Sequence, residues 1–200
     1  MSTVVVDISM SLDGYVTAAG VDLEHGLGRG GEVLHTWALD GDGADRAVLD
    51  AQFVATGAVI QGRVLFDFID GPTGWSEEMG YGAKPDGDLM PPIFVVTHKA
   101  PEKTRLGDRF HFVTDGLESA VRQAQEVAGG KDIVVMGGGE ICHAFLAAGL
   151  VDTVRVHVAP VVLGAGTRLF PADDSPRVDL ELTEAVSTPN AQHLTYKIVK

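Results

Sequence analysis

The stretch VVMGGGEI, Val134–Ile141, joins an apolar run to three consecutive glycines and then to a predicted helix. The first N–H groups of a helix have no partner inside the helix, and the helix dipole places partial positive charge at that end. Glycines allow an anion to approach such a backbone closely. The turn Gly137, Gly138 and Gly139, with Glu140 and Ile141 opening the helix, is therefore a candidate phosphate site. The alternative is a tight strand-to-helix turn without a ligand.

This turn does not match the two common nucleotide-binding fingerprints. In G-x-G-x-x-G the third glycine position falls on Cys142, and no G-x-x-x-x-G-K-[ST] is present. A standard Rossmann or P-loop site is therefore not predicted, and the fold has to be inferred from the segments around the turn.

Strand-like and helical segments alternate along the chain. Short runs rich in β-branched and aromatic residues predict strands, and apolar residues at i, i+3 and i+4 predict helices. The predicted strands are Thr3–Ser9, Ala58–Gly62, Ile93–Thr97, Phe110–Thr114, Asp132–Met136 and Thr153–Leu163, and the predicted helices are Ala44–Ala55, Leu117–Ala128 and Gly139–Ala148. Several strands are apolar at nearly every position, which is typical of strands covered on both faces. The alternation predicts an α/β fold with a largely parallel sheet.

The C-terminal part departs from this alternation. VDLELTEAVS and AQHLTYKIVK flank TPN, which predicts two antiparallel strands joined by a turn and hence a mixed sheet. The loops Thr17–Asp42 and Asp70–Pro92 show little periodicity and are candidates for lids over a site. There is no internal repeat and no linker-like change in composition, so residues 1–200 are expected to form a single domain.

Charge and composition exclude several classes of function. Lys and Arg number 15 against 28 Asp and Glu, and a net charge of −13 repels nucleic acid and anionic membranes. No apolar run reaches the roughly 20 residues that span a bilayer. The N-terminus has Asp7 within its apolar stretch and no basic region, unlike a signal peptide, so a cytoplasmic location is expected. Cys142 is the only cysteine and the histidines lack metal-binding spacing, so neither a disulfide nor a metal site is predicted.

Two further predicted strands end in groups that suit a phosphate. Gly62 and Arg63, followed by Val64, stand where a helix begins, and a guanidinium fork can bind phosphate at two points. Taken alone, this motif slightly favours the explanation that Arg63 is a surface arginine. The segment Thr97, His98 and Lys99 offers a hydroxyl, a ring and a cation. Because ligands of open α/β sheets bind beyond the carboxyl ends of strands, these groups are expected to lie near the glycine turn.

A fourth candidate lies in SLDGYVT, Ser11–Thr17, after the first predicted strand. Asp13-Gly14 is a strong turn signal, and a turn is the simplest explanation of it. The functional alternative places Asp13 over a substrate.

Four stretches, taken in order, resemble one family. SLDGYVT, QGRVLF, FVVTHKAP and VVMGGGEICHAFLAAGLVDTVRVHVAPVVLGAGTRLF are similar to the bacterial dihydrofolate-reductase-like family. They are most similar to its branch related to the reductase domain of the bifunctional riboflavin-biosynthesis deaminase-reductase. The resemblance spans nearly the whole chain and is most specific over Val134–Phe170. It implies a mixed, mostly parallel sheet flanked by helices, with a C-terminal antiparallel strand pair, and a homodimer.

The resemblance also implies NADPH as the cofactor. The glycine turn and the helix after it would lie under the pyrophosphate, Gly62-Arg63 near a phosphate, and Thr97–Lys99 around the adenosine end. A 2′-phosphate is a dianion that suits Arg63, His98 and Lys99, which favours NADP over NAD. Leu65 stands where dihydrofolate reductases commonly have a threonine that contacts a phosphate, so one hydroxyl contact is missing.

The implied reaction is hydride transfer from NADPH to a small heterocycle, a riboflavin-pathway pyrimidine, a pteridine or a flavin-like ring. Asp13 is the candidate catalytic group, and the substrate-side residues are Asp13, Gly14, Trp37, Leu163 and Gly164. A flavin such as FMN in the substrate pocket is a further option. Trp37, Trp75 and Tyr81 either stack on the heterocycle or pack within the protein.

Several points stay open from the sequence. Dihydrofolate reductases orient their substrate with an acidic residue; Asp45 and Asp50 are the candidates here, and no motif selects between them. The zinc-binding deaminase half of the bifunctional riboflavin-biosynthesis enzyme has no counterpart in this sequence. A substitute dihydrofolate reductase and a non-catalytic nucleotide- or flavin-binding protein remain the alternatives.

Overall fold

The computed structural model describes residues 2–76, 80–81, 90–171 and 177–200. Within these residues, eight strands form one sheet with helices on both faces. The strands are β1 (Val4–Ser11), β2 (Thr56–Gly62), β3 (Ile93–Val96), β4 (Phe110–Val113), β5 (Asp132–Gly137), β6 (Thr153–Ala159), β7 (Leu180–Ser187) and β8 (Gln192–Ile198). The α-helices are α1 (Thr36–Leu39), α2 (Gly43–Ala55), α3 (Arg63–Ile69), α4 (Leu117–Val127) and α5 (Gly139–Ala147), and short 3-10 helices span Gly31–His35 and Gly107–Arg109.

The strand order is β4-β3-β2-β5-β1-β6-β8-β7. The first six strands in this order pair in parallel, whereas β8 runs antiparallel to both β6 and β7. Parallel neighbours need a long crossover, which the helices supply, and the short turn between β7 and β8 permits only antiparallel pairing. The predicted mixed, mostly parallel sheet with a C-terminal antiparallel pair is confirmed.

The two faces of the sheet differ in polarity. Side chains alternate between the faces of a strand. One face is apolar across the sheet and packs on α4 and α5, around Phe145 and Ala124. On the other face, β1 presents Asp7, Ser9 and Ser11, and Ser9 and Ser11 are buried. The central strands are thus covered on both sides, as predicted, but β1 is not apolar on both.

Several predicted boundaries are corrected. The run Thr153–Leu163 was expected to be one strand, but β6 ends at Ala159. Pro160 follows, and proline cannot donate a hydrogen bond to a sheet. The expected loop Thr17–Asp42 contains a 3-10 helix and α1, with Leu34 and Trp37 buried. Part of the second expected lid, residues 77–79 and 82–89, lies outside the described residues.

In the described part of the chain, no helix has the length and apolarity to cross a membrane.

Candidate functional site

The three phosphate-suited strand ends meet at one edge of the sheet. β3, β2 and β5 are parallel neighbours, and Gly62 pairs with Val96 while Gln61 pairs with Gly137. A Cβ placed on Gly62 would lie 3.3 Å from the Cβ of Ile141 on α5, so these two backbones approach closely. The geometry therefore brings together the three segments that the sequence analysis selected separately.

The glycine turn leaves an uncovered helix end. Gly137 has φ +123, a conformation that favours glycine, and the Gly137–Gly138 peptide is cis. Gly138 caps α5 without a side-chain hydrogen bond to the first turn. A methyl group at Gly138 would meet no heavy atom within 4 Å among the described residues. The first N–H groups of α5 are therefore not covered by a capping side chain, and open space lies over Gly138.

Arg63 connects the start of α3 to the segment after β3. Its Nε donates to Asp67 at 2.7 Å, and one terminal nitrogen donates to the carbonyl of Lys99 at 2.8 Å. The same nitrogen lies 3.5 Å from the hydroxyl of Thr97. His98 and Lys99 are exposed beside it, as is Val64. The predicted basic set is thus assembled, but part of the Arg63 fork is already engaged by protein oxygens.

Asp13 anchors a distant loop rather than standing free. One carboxylate oxygen accepts from the hydroxyl of Ser11 at 2.6 Å and from the N–H of Leu163 at 3.1 Å, and the other accepts from the N–H of Gly164 at 2.7 Å. The predicted substrate-side residues Asp13, Gly14, Leu163 and Gly164 therefore form one cluster. Arg168 closes it, donating to the carbonyl of Asp13 and lying 4.4 Å over the ring of Tyr15.

These hydrogen bonds set the charge state of Asp13. The Ser11 hydroxyl has the largest effect on the pKa of Asp13; burial opposes it, and the backbone N–H groups of Leu163 and Gly164 add to it, so that the pKa is lowered to about 2. The side chain is a carboxylate at neutral pH. Asp13 is therefore poorly suited to donate a proton, and its geometry explains it as an anchor of the loop.

The Asp13 cluster lies against the glycine turn. A Cβ on Gly139 would come within 2.7 Å of Val16 and 3.2 Å of Thr167. Val16 itself donates its N–H to the carbonyl of Thr167 at 2.8 Å. The start of α5, the turn after β1 and the loop after β6 are consequently packed together, and the expected cofactor side and substrate side adjoin each other.

Trp37 is not placed to stack on a ligand. It is 5% exposed, donates to the hydroxyl of Ser9 at 2.9 Å, and lies 4.1 Å between ring centroids from His157. Of the two explanations considered for Trp37, the structure favours packing. Trp75 and Tyr81 also pack, against the second apolar cluster around Phe66.

Beneath Trp37 lies a buried polar chain that the sequence analysis missed. Asp7, His157, His193 and Asp45 follow one another through contacts of 2.9, 2.7 and 3.0 Å. One signal in the sequence could have found part of this chain. Asp7 and Ser9 are two residues apart in β1, so both lie on the same face of the strand, and two polar residues at that spacing indicate a polar face. Asp45, one of two acidic residues left open, is buried here, whereas Asp50 is exposed.

Gln61 is a second buried polar residue that the sequence analysis missed. It lies in β2 just before Gly62, is 0% exposed, and neither its amide oxygen nor its nitrogen has a hydrogen-bond partner within the described structure. A buried amide without partners is costly and therefore calls for a specific explanation.

No group of three or more His, Cys, Asp or Glu side chains that could hold a metal ion occurs in the described segments. Cys142 is fully buried on the apolar face, and burial raises the pKa of its thiol, so it is not a reactive nucleophile.

Comparisons with known proteins match residues 2–194 to the RibD C-terminal domain. YyaP of Bacillus subtilis (strain 168), described as uncharacterized, is 25% identical over 191 residues, which is 90% of this chain and 85% of YyaP. A putative riboflavin biosynthesis protein from Shewanella sp. PV-4 superposes with a TM-score of 0.65 at 20% identity, covering 100% of both chains.

A diaminohydroxyphosphoribosylaminopyrimidine deaminase/5-amino-6-(5-phosphoribosylamino)uracil reductase from Thermotoga maritima superposes with a TM-score of 0.60 at 14% identity, over 99% of this chain and 57% of that chain. At such identities the structural likeness shows the fold alone. The family match covers nearly the whole sequence and confirms the resemblance to the riboflavin-type branch of the dihydrofolate-reductase-like fold. The chain belongs to the RibD C-terminal domain family.

Proposed function

We propose that the protein is an NADPH-dependent reductase that transfers hydride to a small heterocycle of the pyrimidine type. The observation that carries the proposal is the convergence of the uncovered start of α5 with the Arg63 and Thr97–Lys99 segments at one edge of the sheet. The family match and the reductase named in the Thermotoga maritima relative support the reaction class.

The residues fit a dinucleotide phosphate. The space over Gly138 gives an anion access to the first N–H groups of α5, which lack a side-chain cap. Arg63, His98 and Lys99 provide local positive charge in a chain of net charge −13, and this set suits a 2′-phosphate. Glu140 is exposed at the start of α5, so the pyrophosphate is assigned to the backbone of the turn rather than to side chains.

Bound NADPH would supply the hydride. The chain's own contribution is to position the two reactants and to exclude water. The Asp13 carboxylate does this indirectly, because it holds the loop of Leu163 and Gly164 against the turn after β1. A heterocycle is assigned to the junction between this loop and the glycine turn.

The test is cofactor discrimination. Arg63→Ala and Lys99→Ala are each expected to weaken NADPH binding about tenfold, or about 1.4 kcal/mol, and to change NADH binding much less. Titration calorimetry with both cofactors measures this. Arg46→Ala and Lys103→Ala, which replace exposed cations elsewhere, are the controls. Equal losses for NADPH and NADH would contradict the assignment of the 2′-phosphate.

Turnover separates the reductase from its alternatives. Steady oxidation of NADPH with a ribosylaminopyrimidine supports the proposal, and oxidation with dihydrofolate instead supports a dihydrofolate reductase substitute. A flavin or nucleotide that stays bound through purification, without NADPH oxidation by any acceptor, supports a binding protein.

We also propose a homodimer. β7 forms the edge of the sheet and pairs with β8 on one side only, with a register shift between Leu182 and Glu184, and Leu182 is 54% exposed. A second copy would cover such an edge. Sedimentation equilibrium should give twice the chain mass of 21.1 kDa, and a monomer at all concentrations would refute the proposal.

A further inference from the structure

A chain of four titratable groups runs through the polar face of the sheet. A carboxylate oxygen of Asp7 lies 2.9 Å from Nε2 of His157, and Nδ1 of His157 lies 2.7 Å from Nδ1 of His193. Nε2 of His193 lies 3.0 Å from a carboxylate oxygen of Asp45. The chain joins β1, β6, β8 and α2, and none of its members belongs to the proposed cofactor site.

The number of protons in this chain follows from its contacts. Each of the three contacts is of hydrogen-bond length and needs one proton. Two neutral imidazoles carry one proton each, and the two carboxylates carry none. Two protons can fill only two of the three contacts, so in the third contact two lone pairs would face each other. A third proton is required, and the symmetric place for it is between the two Nδ1 atoms.

The carboxyl groups are poor places for the third proton. Asp7 also accepts from the guanidinium of Arg155 at 2.9 Å, and Asp45 accepts from the side-chain amide of Asn190 at 2.7 Å. Burial opposes ionisation of both aspartates. Even so, His157 and Arg155 keep the pKa of Asp7 below the usual value, and Thr188, Asn190 and His193 do the same for Asp45. Both therefore remain carboxylates at neutral pH.

The other groups around the ring pair are consistent with a single positive charge. Trp37 covers the pair, with centroids 4.1 Å from His157 and 5.0 Å from His193. An aromatic ring stabilises a nearby cation. His35, on the preceding 3-10 helix, has its pKa lowered to about 4 by burial and by the His157 charge, and it stays neutral.

Two further groups face the chain from its sides. Asp132 lies 3.8 Å from Arg155 and adds a negative charge beyond it, and its own pKa is raised by burial. The side-chain amide of Gln52, on α2, lies 3.3 Å from Nε2 of His157 and carries no charge. Since Nε2–H of His157 donates to Asp7, the amide group that this contact accommodates is the accepting oxygen rather than the donating nitrogen. The charged groups around the two rings are therefore net negative, which favours a positive charge on the ring pair, and the count of contacts limits that charge to one shared proton.

We propose that His157 and His193 form a binding site for one shared proton, which ties the C-terminal strand β8 and helix α2 to the centre of the sheet. The site acts as a pH-sensitive link. It is independent of the proposed reductase function, because it depends on neither the cofactor nor the substrate.

The sign of the pH dependence follows from the proton count. A native pair that keeps its shared proton from pH 5 to pH 9 binds one extra proton at every pH in that range, whereas two unfolded histidines each titrate near pH 6.5. Above about pH 6.5 the native state binds the extra proton, so stability falls as pH rises; below about pH 6.5 the unfolded state binds more, so stability falls as pH falls. Burial and the neighbouring ring also hold the pKa of His193 down, which opposes a fourth proton. The contribution of the pair therefore peaks near about pH 6.5.

Nuclear magnetic resonance on protein with ¹⁵N-labelled histidine tests the shared proton directly. At pH 7 we expect a scalar coupling between the two Nδ1 nuclei across an N–H···N bond. Two Nδ1 nuclei without any proton between them from pH 5 to pH 9 would overturn the proposal. This measurement uses the unaltered chain and does not depend on any variant folding.

Equilibrium unfolding measured from pH 5 to pH 9 tests the consequence. We compare the unaltered protein with His193→Gln and with His111→Gln, an exposed histidine on β4 whose replacement should leave the profile unchanged. Between about pH 7 and pH 9, the ratio of the unaltered protein's unfolding constant to that of His193→Gln should rise, approaching tenfold per pH unit. A constant ratio over this range would contradict the link, even if His193→Gln is less stable overall.

Discussion

The carboxylate of Asp13 accepts the backbone N–H of Gly164 at 2.7 Å, across 151 positions of the sequence. The same side chain takes the N–H of Leu163 and the hydroxyl of Ser11. The turn after β1 and the loop after β6 are therefore built around one carboxylate. Since this loop packs against the start of α5, Asp13 controls the shape of the proposed site without contacting the cofactor segments itself.

Replacing Asp13 by asparagine should loosen this loop. The asparagine side chain has an N–H₂ group in place of one carboxylate oxygen, and this donor would face a backbone N–H, which is also a donor. One acceptor is lost, so thermal stability should fall at pH 7. The pKa of Asp13 is lowered to about 2, so its contribution is present above the unfolded value near 3.9 and is lost as pH falls towards 2. The melting temperatures of the two proteins, measured from pH 7 to pH 2.5, should converge below about pH 4. A difference that stays constant down to pH 2.5 would show that the charge of Asp13 is unimportant.

The glycine turn offers a pair of substitutions that separate packing from ligand access. Gly138→Ala puts a methyl group into open space at an ordinary φ of −64, so the fold should be unaffected while NADPH binds more weakly. Gly139→Ala puts a methyl group 2.7 Å from Val16, and overpacking of this kind typically costs about 1–3 kcal/mol.

Urea unfolding and NADPH titration of both variants make the comparison. Loss of stability should dominate in Gly139→Ala, and loss of affinity should dominate in Gly138→Ala. If Gly138→Ala binds NADPH as well as the unaltered protein does, the space over this residue is not where the phosphate lies.

A substitution at Gln61 tests whether its unpaired amide has a role in ligand binding or in the stability of the fold. Gln61→Met keeps the length of the side chain and removes two buried polar atoms without partners in the described structure. Removing such unsatisfied groups should raise the free energy of unfolding by about 1–3 kcal/mol. Gln52→Met is the matched control, since Gln52 is also buried but its side-chain amide lies 3.3 Å from Nε2 of His157, so the same replacement should not raise the free energy of unfolding.

Denaturant titration of the two glutamine variants decides between a structural and a ligand-related role. A Gln61→Met protein that is no more stable but binds NADPH or substrate more weakly would assign the amide to a ligand. A protein that is both less stable and unchanged in binding would show that the amide has protein partners.

Local patterns predicted most of the secondary structure and selected three segments that the fold brings to one edge of the sheet. The start of α5 follows from three glycines before a helical pattern, because helix ends and glycine turns are properties of neighbouring residues. β6 was predicted too long, since the apolar run continues past Pro160 although the strand ends at Ala159. The helix α1 was missed because four residues, Thr36–Leu39, are too few to show a helical period.

The sequence by itself determined the fold class, the antiparallel C-terminal pair and the family, because periodicity, turn residues and a long run of matching motifs are local properties. Only the tertiary structure decided what individual polar side chains do. Asp13 became an anchor because residues 163 and 164 fold back onto it. His157 and His193 became a pair because β6 and β8 are neighbours in the sheet although 36 positions separate the two residues. Hydrogen bonds between distant residues depend on strand order and register, which no single stretch of sequence contains.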